Sequence, residues 1–232
     1  VVAVSLKNNA LAGLHAAHEL CDEAGRPLGL VHRDVSPQNI LVGDDGVSRI
    51  LDFGVAKATG RARETQNGEV KGKLSYMAPE YLQGRDVSPQ TDVYAAGVVL
   101  WEVMTNKRLF AGETEGQIVT MVLAGKVPSP LASMLASGSR TLPELDMMEL
   151  EGLDRVVMKA LARDPESRYR SALEMAMDLA QTIAPAKAAD VAAWVRSTAH
   201  EVLDSRALMI QDFQSRAESP AELLRHVKSG HK

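Results

Sequence analysis

The stretch His32-Arg33-Asp34-Val35-Ser36-Pro37-Gln38-Asn39 is followed shortly by a second acidic triplet, Asp52-Phe53-Gly54. Between them lie the apolar Ile40-Leu41-Val42, the turn-rich Gly43-Asp44-Asp45-Gly46, and the run 47–51. This spacing reads as two short strands around a tight turn, because Asp and Gly accept the backbone angles that a hairpin turn demands. Such a hairpin returns Asp52 toward Asn39, placing an amide oxygen and a carboxylate where one divalent cation could be shared. Taken singly, each motif is weak, and ordinary turns explain either one as well.

Three further segments decide the reading. Downstream runs Gly72-Lys73-Leu74-Ser75-Tyr76-Met77-Ala78-Pro79-Glu80, then Asp92-Val93-Tyr94-Ala95-Ala96-Gly97-Val98-Val99-Leu100-Trp101-Glu102. Later comes Asp164-Pro165-Glu166-Ser167-Arg168-Tyr169. In this order the segments resemble the catalytic loop, metal loop, activation-segment end, central helix and final Arg motif of a protein kinase. Small-molecule phosphotransferases share a similar first loop but lack the Ala-Pro-Glu segment. The chain is thus similar to the bacterial Ser/Thr protein kinases of the eukaryotic-like type, over residues 1–183, and to their C-lobe only.

The resemblance implies a mainly α fold with a small β-hairpin, a kinase-like C-lobe over 1–183, and extra C-terminal helices or the start of a linker over 184–232. It implies transfer of the ATP γ-phosphoryl group to a protein Ser or Thr hydroxyl, with ATP and Mg2+ required. Asp34 would be the base that orients the attacking hydroxyl, and Asn39 and Asp52 would hold Mg2+. His32 would support the loop, and Phe53 and Gly54 belong to the metal loop. Arg33 would meet a phosphorylated activation loop, for which Thr59 and Thr65 are candidate acceptors, because a phosphate dianion orders a loop through paired hydrogen bonds. Asp92 would hold the catalytic loop from beneath by accepting backbone hydrogen bonds, or serve as a helix N-terminal carboxylate. Glu80 and Arg168 would form a buried pair.

Two positions depart from the family pattern. Where these kinases carry Lys two residues after the catalytic Asp, this chain has Ser36; where they carry Thr after the activation-segment Gly, it has Lys73. The exchange looks reciprocal, and the expectation is that Lys73 restores the cation beside Asp34 from the opposite wall, since a Lys is a flexible point charge. The bland alternative is a weakened site with a surface Lys73.

The parts that cover the adenine and steady the other phosphates, a Gly-rich loop and a Val-Ala-Ile-Lys-like strand, do not precede the first helix. The expectation is a truncated piece of a larger kinase, with an N-lobe supplied in cis or in trans and an apolar surface where it packs. The second function class is a non-catalytic kinase-like binding module, or one half of a split kinase.

Composition narrows the classes further. With 45% apolar and 24% charged residues over 232 positions, the chain can bury one sizeable core. A net charge of −4 with both signs interspersed gives no case for nucleic acid or an anionic membrane as partner. The apolar run 93–104 is short for a membrane span and is broken by Glu102. No secretory signal is visible and Cys21 is a single cysteine, so the expected location is the cytoplasm.

Local patterns give the remaining elements. Leu6, Ala10, Gly13, Leu14, Ala17, Leu20 and Cys21 mark an opening amphipathic helix that closes at Gly25. His15 and His18 on it read as a packed or surface pair rather than metal ligands. Residues 55–71 read as a mobile loop and 127–142 as a Pro- and Ser-rich loop. Thr114 with Gln117 and Ser171 with Glu174 are capping boxes, and a helix lies over 153–162. Val191, Trp194, Val195, Thr198 and Val202 mark one more helix, and Ser219-Pro220 with Glu222 the start of another.

Overall fold

A computed structural model describes residues 2–53, 69–138 and 142–217. Helix α1 (Val2–His18) leads through a 3-10 turn at Pro37–Asn39 into strands β1 (Ile40–Val42) and β2 (Ser48–Ile50). Then follow α2 (Glu69–Leu74), α3 (Pro79–Leu82), α4 (Pro89–Thr105), α5 (Glu115–Ala124), α6 (Pro130–Ser137), α7 (Met147–Ala160), α8 (Ala172–Thr182), α9 (Ala188–Thr198) and α10 (His200–Ala217). The expected mainly α fold with one small hairpin is what forms.

Helix α4 is the beam of the molecule. Val93, Tyr94, Val98, Val99, Leu100, Trp101 and Met104 are buried on every side of it, and α1, α6, α7 and α8 pack around it. A helix apolar all round has no stable place except a core. Gly97 permits the approach of α7, since a Cβ there would lie 2.9 Å from the Ala160 Cβ.

The hairpin pairs Ile40 with Ile50, Leu41 with Arg49 and Val42 with Ser48. Its turn is closed by the Gly43 N–H donating to Val47 O (2.9 Å) and the Gly46 N–H to Gly43 O (3.0 Å). Helix α9 sits against this turn: Arg196 Nη1 donates to Asp44 O (3.1 Å), and a Cβ on Gly46 would run into Ala188 O. Gly46 also has φ +79°. Gly46→Ala is therefore expected to cost about 1 to 2 kcal/mol from the backbone angle alone, and more as α9 is pushed off. Thermal unfolding of the variant checks this, and an unchanged midpoint would contradict the docking.

Several expectations are corrected. Residues 127–142 are not all loop, because α6 forms within them. Ser129 Oγ accepts from the Ala132 N–H (3.0 Å), Pro130 stands at the first helical position, and Gly138 ends the helix at φ +63°. Capping outweighs the Pro and Ser content there. The helix read over 153–162 starts earlier, at Met147, because Asp146 and Glu149 cap it reciprocally at 2.8 and 3.0 Å. The opening helix stops at His18, and Cys21 pairs with Pro27 in an isolated bridge. The helix marked by 191–202 is two helices, broken at Ala199. Residues 69–71, read as loop, are the first turn of α2. Gly54, Thr59, Thr65 and the helix start at 219–222 lie outside the described residues. Among those described, no helix is long and apolar enough to cross a membrane.

Candidate active site

The loop 32–39 is held by the N-terminal end of α4. Asp92, 1% exposed, accepts from the His32 N–H at Oδ2 (2.8 Å) and from the Arg33 N–H at Oδ1 (2.9 Å). His18 Nε2 donates to the same Oδ2 (2.7 Å). One buried carboxylate thus ties α1, α4 and the loop together, and its charge is compensated by three donors, as burial requires. The loop bends sharply enough that Arg33 takes φ +63°.

His32 is fully buried and joins the loop to the end of the hairpin. Its Nδ1 accepts from the Asp34 N–H (3.2 Å), which leaves Nε2 as the protonated nitrogen donating to Leu51 O (2.9 Å). The ring also meets Phe53, with centroids 4.6 Å apart. Asn39 Nδ2 donates to Asp34 O (2.7 Å), and the Leu51 N–H donates to Asn39 O (2.9 Å). Residue 52 therefore follows directly on a backbone hydrogen bond to residue 39, and Asp52 itself stands at φ +55°, exposed. Both Asp and Asn tolerate that region better than other side chains with a Cβ.

The donor set suits a hard cation. Asn39 spends its amide N–H on Asp34 O, which leaves Oδ1 as the acceptor to offer, and Asp52 supplies carboxylate oxygens. Hard oxygens of this kind are what Mg2+ takes, completed by waters and phosphate. No group of three or more His, Cys, Asp or Glu suited to a metal occurs among the described residues.

Lys73 reaches this loop from the other side. Its Nζ lies 2.7 Å from Asp34 Oδ2, with the Lys73 side chain 30% and the Asp34 side chain 11% exposed. Ser36 is 1% exposed, and its Oγ is buried without a hydrogen-bond partner among the described residues. Arg33 Nε is buried and unpartnered in the same sense.

Behind Lys73 the chain is pinned to α4 and to the loop after it. The Tyr76 N–H donates to Lys73 O (3.1 Å), Tyr76 Oη to Glu102 Oε2 (2.7 Å), and Ser75 Oγ to Phe110 O (3.0 Å). Arg108 Nη1 also donates to Tyr76 Oη. Burial, then the Glu102 carboxylate, push the Tyr76 phenol up, so it stays protonated and donating.

Glu80 and Arg168 form a bidentate pair, Nη1 to Oε1 at 2.7 Å and Nη2 to Oε2 at 2.8 Å. Arg168 further donates to Ala162 O, Gln90 O and Arg163 O, and Thr91 Oγ1 donates to Glu80 Oε1 (3.0 Å). Burial raises the Glu80 carboxyl, but the Arg168 hydrogen bonds, a backbone N–H, the Arg168 charge and the Thr91 hydroxyl together outweigh it and hold the group below its ordinary value.

Of the residues singled out in sequence, the fold brings together His32, Asp34, Ser36, Asn39, Phe53, Lys73 and Asp92. Glu80 and Arg168 form a separate cluster at the base of α4. His18, Ser75, Tyr76 and Glu102 were not assigned a site role from sequence. For His18 a signal existed: it continues the buried face of Leu11 and Leu14, where a polar side chain needs a partner.

Comparison with known proteins shows the family. The protein kinase domain model matches residues 5–180, and the chain belongs to the protein kinase family. It is 40% identical over 164 residues to tyrosine-protein kinase MasK of Myxococcus xanthus (strain DK1622), covering 71% of this chain and 24% of that protein. It is 39% identical over 172 residues to serine/threonine-protein kinase PknA of Mycobacterium tuberculosis (strain ATCC 25618 / H37Rv), covering 72% and 36%. To serine/threonine-protein kinase PknL of the same strain it is 35% identical over 176 residues, covering 76% and 39%. The chain thus spans between 24% and 39% of the length of these relatives.

Proposed function

We propose that this chain is the catalytic-loop and substrate-binding lobe of a Ser/Thr protein kinase that transfers the γ-phosphoryl group of ATP to a protein hydroxyl. The observation that carries the reading is the convergence of Asp34, Asn39 and the residue before Asp52 through two hydrogen bonds, at Asp34 O and Asn39 O. That arrangement sets a base beside two oxygen donors for a metal, which is what in-line phosphoryl transfer needs.

In the reaction, Asp34 orients the acceptor hydroxyl and takes its proton as the oxygen bonds to the γ-phosphorus. The bond from that phosphorus to the bridging oxygen breaks, and ADP leaves with the electron pair. Asn39 and Asp52 would hold Mg2+, which when bound supplies positive charge to the phosphate oxygens. Asp92 and His32 keep the loop shaped before substrate arrives, so little reorganisation is left for the reaction itself. An N-lobe, in cis or in trans, would cover the adenine. A reaction that draws on ATP fits a cytoplasmic location for this part.

Two of the named relatives are Ser/Thr kinases and one is a tyrosine kinase. The test is transfer of label from γ-labelled ATP with Mg2+ to a mixed protein substrate by the full-length protein, followed by acid hydrolysis and separation of the phosphoamino acids. Label on Ser or Thr supports the reading. Label on Tyr alone would overturn the acceptor class, and no transfer in the presence of a complete N-lobe would favour the non-catalytic module.

A further inference from the structure

Resting on the kinase reading of the site, we infer that Lys73 supplies the catalytic cation and that this cation is present only while residues 73–76 are docked on α4. The ammonium sits 2.7 Å from Asp34 Oδ2, beside the point where the acceptor hydroxyl and the γ-phosphoryl must meet. Spreading negative charge on a transferring phosphoryl group needs a positive partner. The loop that carries the base cannot furnish one from position 36, where a buried hydroxyl stands without a partner among the described residues. The base and the cation thus ride on two different stretches of chain.

Helix α4 brings the two together. Near its N-terminal end Asp92 grips the backbone next to Asp34. Near its C-terminal end Glu102 holds Tyr76, whose N–H is bonded to Lys73 O. Asp92 and Glu102 stand ten residues apart in sequence, about 15 Å along a rigid helix, so α4 holds the loop that carries the base at one clamp and the segment that carries the cation at the other, and the Lys73 side chain closes the gap. A cation on the base's own loop would be permanent. One carried on 73–76 is withdrawn whenever that stretch lifts away, which makes docking of the segment a condition for charge stabilisation at the phosphate.

The test is a double-mutant cycle in the full-length protein, read as turnover and KM for ATP. Lys73→Thr is expected to lower kcat on the order of a hundredfold with KM for ATP nearly unchanged, and Lys73→Arg to retain part of the rate. Tyr76→Phe, which cuts the clamp, is expected to lower kcat in the Lys73 protein, and much less in the Lys73→Thr background, because its effect runs through the lysine. The Tyr76→Phe change should also speed labelling of Lys73 by an amine-reactive probe, a readout independent of turnover. An unchanged rate for Lys73→Thr overturns the cation assignment. Fully additive losses, or unchanged labelling, overturn the docking condition. Transfer that needs Asp34 but not Lys73 refutes this inference alone, whereas transfer that needs neither refutes the kinase reading.

Discussion

An Asp34→Asn variant of the full-length protein is expected to lose about a hundred- to ten-thousandfold in turnover, the range that a positioned general base contributes. Asn keeps the size and planarity of the side chain, and the bonds that shape the loop leave through backbone atoms: the Asp34 N–H to His32 and Asp34 O from Asn39. The substitution therefore removes the proton acceptor and the ion pair to Lys73 while leaving the loop and the metal donors in place. KM for ATP should change little, since Asn39 and Asp52 are untouched. Turnover within twofold of the unaltered protein would remove Asp34 from the mechanism. A matched loss of thermal stability would instead point to a structural role.

Arg168→Ala is expected to destabilise the fold by about 3 to 5 kcal/mol, because it strands a desolvated carboxylate. Glu80 is 5% exposed, and without Arg168 it would keep only Thr91 as a side-chain partner among the described residues. Three backbone carbonyls, of Ala162, Gln90 and Arg163, would lose their donor in the same step. Arg168→Lys should recover little, since an ammonium cannot serve both carboxylate oxygens and three carbonyls in that planar fork. Denaturant unfolding measures the difference, and a loss below about 1 kcal/mol would mean that the pair behaves as an exposed one.

The same pair gives a pH dependence with a definite sign. The Glu80 carboxyl is held below its ordinary value in the folded chain, so its contribution is complete above the unfolded carboxylate value of about 4.3. It is lost as pH falls through the depressed folded value. Between pH 7 and 3 the unaltered protein should lose stability more steeply than a Glu80→Gln variant, whose residue 80 has no proton to take up. Parallel curves would show that Glu80 is not depressed.

How much was legible beforehand depended on how local the cause was. Asn39, Asp52 and the hairpin between them are set by a few consecutive residues, and the turn closes as the backbone freedom of Gly46 allows. Capping signals are equally local: the Ser129-Pro130 start and Gly138 stop of α6 act through their positions, which the Pro and Ser content of 127–142 as a whole conceals. The break at Ala199 between α9 and α10 follows no strong breaker in the sequence.

The sequence by itself determined the family, the mainly helical fold and the identity of the base and metal-binding candidates, because these rest on side-chain chemistry at short spacing. Only the tertiary structure decided which groups meet across long separations: His18 with Asp92, Tyr76 with Glu102, and Lys73 with Asp34. The physical reason is that a buried polar atom must find a partner wherever packing leaves one, and α4, buried on all sides, chooses those partners by fixing what lies against each of its ends.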